Sequence, residues 1–278
     1  ATVEHDRAHL LLLYGEAGVG KSRLAEEVSA IARTGHDAAV FEGRCVPYGE
    51  ANVWWPIAGA VRQACDLEPD AVEDEARRQV RSALVRVHEE DAEANGMDED
   101  AIAGSAEALL HLMGYEGALR DVDPARAREE ATDAALAFLE ASARRRPLVI
   151  VLSDLHWADE LVLELVDRLL ERLGRLPCVL LATSRHHLSE RWQPAPGRHN
   201  SVVLSLDPLD AEASAALVHS LFEGRAPAGL AELLTSRSGG NPFFLEELVA
   251  LMEENAASVT SDLTSDRIVR LPDTLRGL

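Results

Sequence analysis

Eight consecutive residues, Gly-Glu-Ala-Gly-Val-Gly-Lys-Ser from Gly15 to Ser22, match the pattern G-x-x-x-x-G-K-[ST] at every fixed position. Residues 10–14, directly before them, form an apolar run of the length of a buried strand. The apolar residues that follow recur at helical spacing: Leu24, Val28 and Ile31. Because the pattern binds phosphate only between a strand and a helix, this setting favours a phosphate-binding loop over a chance glycine-rich turn.

The residue types of this loop suit a nucleoside triphosphate. Backbone N–H groups of a glycine-rich turn can surround phosphates, and the following helix N-terminus adds partial positive charge. We expect Lys21 to reach the β- and γ-phosphates and Ser22 to offer its hydroxyl to Mg²⁺. The predicted nucleotide-binding residues are the loop and the residue after it: Gly15, Glu16, Ala17, Gly18, Val19, Gly20, Lys21, Ser22 and Arg23.

Four further apolar runs predict strands, at residues 38–42, 148–152, 179–183 and 202–204. The run from Leu148 is continuously apolar, which is typical of a strand buried on both faces of a parallel sheet. An amphipathic helix follows it, with leucines at Leu161, Leu165 and Leu169. The predicted fold class is α/β: a P-loop NTPase with a parallel sheet flanked by helices, plus a small all-α lid domain.

The same patterns predict the domain organisation. Residues 1–206 form the nucleotide-binding α/β domain, with a helical insertion from about 44 to 146 where amphipathic helices replace strands. Residues 207–254 form the helical lid. Residues 255–278 begin with a Ser/Thr/Asp-rich stretch without periodicity, and we expect them to be a linker and the start of a missing downstream domain.

Composition argues against two classes of partner. The formal net charge of −21 repels nucleic acid, and the only tight basic cluster is Arg144–Arg146, so we expect no direct nucleic-acid binding. No apolar run approaches the roughly 20 residues of a membrane span, and no signal sequence opens the chain, so we expect a cytoplasmic protein without membrane contact. The three cysteines show no metal-ligand spacing.

Acidic and basic residues at strand ends complete the predicted chemistry. Asp154 is the carboxylate at the tip of the third predicted strand, where we expect a Mg²⁺-supporting acid beside Ser22; the alternative is a plain helix N-cap. Asp159 and Glu160 either orient a water molecule or start the next helix. Arg185 closes the fourth strand and could sense the third phosphate, since its charge-assisted hydrogen bonds exist only while that phosphate is present; the alternative is an ordinary surface arginine. The predicted catalytic residues are Lys21, Asp154, Asp159 and Arg185.

Residues 147–159, Pro-Leu-Val-Ile-Val-Leu-Ser-Asp-Leu-His-Trp-Ala-Asp, resemble the Walker B segment of the STAND class of signal-transduction ATPases, an AAA-like group. The resemblance is strongest to the module of large LuxR-type transcriptional regulators and multidomain adenylate cyclases. Residues 239–248 resemble the lid motif of that group, which implies that Pro242 packs near the adenine of ATP or ADP. Residues 271–275 resemble the start of the winged-helix segment that follows the lid.

This resemblance implies a regulatory switch: an ATP-binding, slowly hydrolysing module whose nucleotide state changes the arrangement of sheet domain and lid. The expected partners are the nucleotide with Mg²⁺, effector domains of the same polypeptide, and further copies in nucleotide-dependent self-association. The sequence departs from this group at one position: the group ends its third strand with two acids, and here the first is Ser153. If the first position supports Mg²⁺ in this group, we expect Ser153 to hold the ion weakly and hydrolysis to be slow. Two alternatives remain open: a ring-forming mechanical ATPase, with Arg126 or Arg128 as its arginine finger, or a non-hydrolysing ATP-binding scaffold.

Overall fold

The computed structural model describes residues 2, 6–47, 55–68, 70–88, 98–115, 117, 119–194, 200–224, 226 and 229–259, with the side chains of residues 55 and 253–259 excepted. The chain forms two compact units. One comprises Ala1–Gly15 and Lys21–Ser205, and the other comprises Glu16–Gly20 and Leu206–Leu278. Residues 260–278, which hold the predicted start of a further domain, lie outside the described residues.

The first unit is built on a five-stranded sheet in the order β2-β3-β4-β1-β5. Its strands are β1 (His9–Gly15), β2 (Ala39–Arg44), β3 (Leu148–Ser153), β4 (Cys178–Ser184) and β5 (Asn200–Leu206). The pairs β2–β3, β3–β4 and β4–β1 are parallel, and β5 lies beside β1. All five strands that the apolar runs predict are therefore present, and the α/β fold class is confirmed.

Helices accompany this sheet in the order that the sequence predicts. They are α1 (Lys21–His36), α2 (Trp55–Ala64), α3 (Glu73–His88), α4 (Glu99–Leu112), α5 (Pro124–Arg145) and α6 (Glu160–Arg172). Four of them, α2 to α5, come between β2 and β3. Short 3₁₀ turns follow β3 at Leu155–Trp157 and β4 at His186–Glu190.

The inner strands are apolar throughout because both faces of the sheet are covered. In β3, Ile150 and Leu152 belong to the larger core, which the helices between β2 and β3 also fill, whereas Val149 and Val151 belong to a smaller core with Ala25 of α1. Side chains of a strand alternate between its two faces, so two cores require a continuous apolar run. Each fully buried side chain of this size contributes about 1.5–3 kcal/mol.

The second unit is a small helical bundle. Its helices are α7 (Ala211–Leu221), α8 (Leu230–Ser238) and α9 (Pro242–Val259), and Val218, Leu234 and Leu245 are among the buried residues of its core. Between α8 and α9, Gly240 has a φ of +77°, and a Cβ there would lie 2.2 Å from the Leu209 carbonyl oxygen. Only glycine permits this approach.

Two further observations concern the described residues as a whole. None of their helices combines the length and the apolar character that crossing a membrane requires. The three cysteines, Cys45, Cys65 and Cys178, are buried free thiols. Burial raises the pKa of each thiol to about 12, which keeps it in the unreactive protonated form.

Candidate nucleotide site

Four strand ends bring the predicted site residues of the first unit to one edge of the sheet. In the register of β1 and β4, Tyr14 pairs with Ser184, so Gly15 and Arg185 are the next residues on two neighbouring strands. The fourth predicted strand therefore adjoins the strand that precedes the phosphate loop. The carboxyl ends of β2 and β3 lie at the same edge, because all of these pairs are parallel.

Lys21 is the first residue of α1 and is only 8% exposed. Its Nζ donates a hydrogen bond to the Gly15 carbonyl oxygen at 2.9 Å. Burying an ammonium group is unfavourable unless it is hydrogen-bonded, and the bond to Gly15 offsets part of this cost. A cation in this place, with three N–H donors, suits the phosphate contact that the sequence predicts.

In the second unit, the glycine-rich loop is hydrogen-bonded to the start of α9. The Asn241 side-chain amide donates to the Ala17 carbonyl oxygen at 2.8 Å, and the Phe243 N–H donates to the Gly18 carbonyl oxygen at 3.3 Å. The other end of the Asn241 amide accepts from the Phe243 N–H at 3.1 Å. Asn241 and Phe243 therefore hold the backbone of the phosphate loop.

Gly18 shows why this loop needs glycine. Its φ is +77°, and a Cβ there would lie 2.7 Å from Asn241 Oδ1 and 2.9 Å from the Phe243 Cβ. Both the backbone conformation and the close approach exclude a side chain. Gly20 also has a positive φ, +102°, but the space around it is open. Gly18 is therefore required both by its backbone conformation and by its contact with the start of α9, whereas Gly20 is required by its backbone conformation alone.

Asp154 directly follows β3, and its backbone adopts the left-handed conformation, with φ 58° and ψ 40°. Its N–H donates to Oγ1 of Thr183, a buried residue of β4, at 3.0 Å. One carboxylate oxygen, Oδ2, accepts from both Nε (3.0 Å) and an Nη (2.9 Å) of Arg44, the last residue of β2. The acid at the end of β3 is therefore positioned by both neighbouring strands.

Of the two acids that the sequence offers as helix caps, Asp154 and Asp159, only Asp159 caps a helix through its side chain. Asp154 makes no side-chain cap hydrogen bond to the turn that follows it, so the plain N-cap alternative for this residue is wrong. Asp159 is the N-cap of α6, because its Oδ1 accepts from the Val162 N–H at 3.0 Å. A water-orienting function of Asp159 stays a prediction.

His156 lies in the turn after β3 and is 4% exposed. Neither of its ring nitrogens has a hydrogen-bond partner among the described residues. Burial lowers the pKa of this imidazole; Asp154 opposes the shift, whereas Arg185, His187 and Lys21 add to it. A neutral imidazole has one hydrogen-bond donor and one acceptor.

The remaining predicted residues occupy exposed or half-buried positions. Ser22 and Arg185 are exposed at the start of α1 and the end of β4. Arg23 is exposed and pairs with Glu27 at 2.7 Å. Pro242 begins α9, directly between the two residues that contact the loop, and its packing near an adenine stays a prediction.

Four residues of this region are missing from the sequence-based site: Arg44, His156, Thr183 and Asn241. Arg44 lies 110 residues before the acid it binds, and no local pattern connects them. His156 and Asn241 lie inside the two segments that resemble motifs of known ATPases. Their position in those segments could have marked them as candidate site residues. Thr183 ends an apolar strand and carries none.

The residues present fit a nucleotide and its magnesium ion. The loop combines positive-φ glycines with open space at Gly20, and Lys21 supplies a buried cation. Among the described residues no three His, Cys, Asp or Glu side chains cluster as a metal site. Mg²⁺ does not need such a cluster, because one or two protein oxygens plus phosphates and water complete its coordination. Ser22 and Asp154 are the residues that would hold it.

Comparison with known families decides the class of this site. Residues 1–181, which include the loop, β3 and most of β4, match the AAA ATPase domain family. The chain belongs to this family. The AAA-like part of the sequence resemblance is thereby confirmed, and ATP or ADP with Mg²⁺ is the ligand set that such domains generally bind.

The relatives found are remote or uncharacterised. An uncharacterized protein of Rhizobium meliloti (strain 1021) is 29% identical over 262 residues, which cover 92% of this chain and 24% of that protein. The chain thus spans about a quarter of this relative. Two solved structures are similar at TM-scores of 0.41 and 0.39. They are a STAND protein with a tetratricopeptide repeat sensor from Pyrococcus horikoshii (14% identity, 94% of this chain and 33% of that one) and Drosophila ORC bound to DNA (12% identity, 95% and 64%).

Proposed function

We propose that this AAA ATPase domain is a nucleotide-operated switch of the STAND class: an ATP-binding, slowly hydrolysing module of a larger signalling or regulatory protein. The domain organisation proposed with it is the one predicted from sequence, a nucleotide-binding domain over 1–206, a lid over 207–254 and a linker over 255–278. Effector domains of the same polypeptide would receive the output.

The observation that carries this proposal is the pair of hydrogen bonds from the start of α9 to the phosphate loop. Asn241 and Phe243 bind the carbonyl oxygens of Ala17 and Gly18, and a Cβ at Gly18 would clash with both residues. A loop that changes shape around a phosphate must therefore move α9 or break these bonds. Such direct coupling serves a switch, because a ligand shifts an equilibrium only through contacts that differ between the two states.

The residues at the end of β3 support the proposal of slow hydrolysis. Ser153 replaces the first acid of the resembled pattern, and the acid that remains, Asp154, shares its Oδ2 between two N–H groups of Arg44. A guanidinium on this oxygen competes with a metal ion for the same lone pairs. We therefore propose weak support for Mg²⁺, and turnover that is slow relative to nucleotide exchange.

The protein groups proposed for phosphate binding have separate functions. When bound, Mg²⁺ neutralises part of the phosphate charge and lowers the barrier to phosphoryl transfer. Lys21 holds the β- and γ-phosphates, Ser22 and Asp154 orient the ion, and Arg185 at the end of β4 contacts the third phosphate. Moving a two-state equilibrium from 1:99 to 99:1 takes about 5.5 kcal/mol of differential affinity, which two or three charge-assisted hydrogen bonds can supply.

The test is a calorimetric titration of nucleotide-stripped protein with Mg-ATP and Mg-ADP in parallel. We expect tighter binding of ATP, and we expect Arg185→Ala to remove most of this preference while ADP affinity stays unchanged. Arg168→Ala is the matched control, since Arg168 is an exposed arginine paired with Asp133 on α5, outside the site. Equal affinity of the wild-type protein for both nucleotides would contradict the switch.

The non-hydrolysing scaffold is the second candidate, and the Arg44–Asp154 pair favours it. The two candidates separate in a single-turnover measurement with radiolabelled ATP. Release of phosphate over minutes to hours supports the slow switch, whereas bound ATP that persists unchanged supports the scaffold. Fast turnover that depends on added nucleic acid or on ring assembly would replace both with the mechanical ATPase.

A further inference from the structure

His156 is a buried polar side chain that the described protein residues leave unsatisfied. The imidazole is 4% exposed, and both Nδ1 and Nε2 lack a hydrogen-bond partner among the described residues. Buried polar groups in folded proteins are nearly always paired, because an unpaired one forfeits its hydrogen bonds to water without replacement. Two unpaired nitrogens on one ring therefore call for a partner from outside the protein.

The neighbours of the ring do not supply this partner. His156 packs against Trp157 with a centroid separation of 4.9 Å and against His187 with one of 5.2 Å. These ring contacts fix the orientation of the imidazole, but they satisfy neither an N–H donor nor a nitrogen lone pair. A histidine with only a structural function would be paired with a backbone carbonyl or a carboxylate instead.

The position of His156 indicates which external group is within reach. The residue stands two positions after Asp154, in the turn that follows the carboxyl end of β3, where parallel α/β sheets bind their ligands. The charged groups that act on the ring are Asp154, Arg185 and Lys21, together with its neighbour His187. Three of these four are the residues proposed to hold Mg²⁺ and the third phosphate.

We propose that His156 completes its hydrogen bonding on the third phosphate of a bound nucleoside triphosphate, directly or through one water molecule. This inference rests on the proposed function of the site. An imidazole N–H donating to a phosphate oxygen forms a charge-assisted hydrogen bond, and such a bond exists only with the triphosphate. His156 is then a specificity residue that reads triphosphate against diphosphate, in addition to Arg185.

The first experiment compares nucleotide affinities of His156 variants. In His156→Phe, which keeps an aromatic ring, slightly larger and without polar atoms, we expect affinity for a non-hydrolysable ATP analogue to fall about tenfold while ADP affinity changes less than twofold. His156→Asn and His156→Gln each restore one amide near the position of one ring nitrogen, so one of them should recover part of the loss. His111→Phe, the same change on α4, is the control and should bind like the wild type.

Two outcomes of this titration would overturn the inference: unchanged affinity of folded His156→Phe for both nucleotides, or an equal loss for both. Thermal unfolding of each variant, measured alongside, shows whether it is folded.

The second experiment needs no substitution of the site. In wild-type protein labelled with ¹⁵N-histidine, we expect the ring nitrogen signals of His156 to shift on addition of the non-hydrolysable ATP analogue and to stay in place with ADP. Signals that remain unmoved by a bound triphosphate would overturn the inference and leave the proposed function intact. Failure of the wild-type protein to bind either nucleotide would instead contradict the proposed function itself.

Discussion

The phosphate loop and the acidic end of β3 are held in place by different kinds of contact. The loop is eight consecutive residues, held by backbone torsion and by hydrogen bonds to its carbonyl oxygens. The acid at the β3 end is held by side chains from two other strands, Arg44 of β2 and Thr183 of β4. Loop positions that need a positive φ are strained by any residue other than glycine, whereas an ion pair with an exposed arginine contributes little to stability.

The first prediction concerns Lys21, the buried cation of the loop. Lys21→Ala should lower affinity for ATP and ADP about a hundredfold, close to 3 kcal/mol, because a buried cation on the phosphates is lost. Calorimetry or fluorescent-nucleotide binding measures this loss. Arg33→Ala, on the exposed face of the same helix, is the control and should bind like the wild type. A Lys21→Ala protein that still binds both nucleotides tightly would remove the loop from the site.

The second prediction separates backbone demand from side-chain contact. Gly18→Ala should destabilise the protein by about 1–3 kcal/mol and weaken nucleotide binding, since φ is positive and the new Cβ would displace Asn241. Urea unfolding and nucleotide titration check it. Gly104→Ala is the matched control in α4, where the surrounding space is open, and it should stabilise by about 0.5–1 kcal/mol. Similar behaviour of the two variants would show that the loop is less constrained than its torsions indicate.

The third prediction tests the acid that caps α6. Asp159→Ala should cost about 1 kcal/mol of stability through the lost cap, and Asp159→Asn should restore it, because an amide oxygen still accepts from the Val162 N–H. We expect the hydrolysis rate of Asp159→Asn to equal that of the wild type. If hydrolysis stops in this variant while stability is retained, the carboxylate orients water after all.

The smallest effect concerns the side-chain pair at the β3 end. Arg44→Ala should change stability by less than about 1 kcal/mol, because Arg44 is 72% exposed. It should nevertheless lower the Mg²⁺ concentration needed for half-maximal ATP binding several-fold, since Oδ2 of Asp154 no longer has a competing guanidinium. Arg33→Ala, which removes the comparable pair with Glu42, serves as the control. An unchanged Mg²⁺ dependence would mean that Asp154 does not support the ion.

The sequence predicted the fold well because its signals are local. Each of the five strands has its own apolar run, and the phosphate loop is predicted from a pattern of eight adjacent residues. Boundaries were less accurate: the run at 202–204 belongs to a strand that extends over Asn200–Leu206, and the polar residues Asn200, Ser201 and Ser205 beside the run hide its full length. The site was predicted unevenly for the same reason, since Lys21 and Asp154 follow from adjacent residues and Arg44 does not.

The sequence by itself determined the α/β fold, because each strand and helix has its own periodic run of residues, and its resemblance to a known group indicated the AAA family. Only the tertiary structure decided what surrounds the loop and the acid. It placed Arg44 on Asp154, buried His156 without a protein partner, and joined Asn241 to Ala17 across 224 positions of the chain. Strand order and helix packing create these contacts, and neither can be derived from the spacing of residues along the chain.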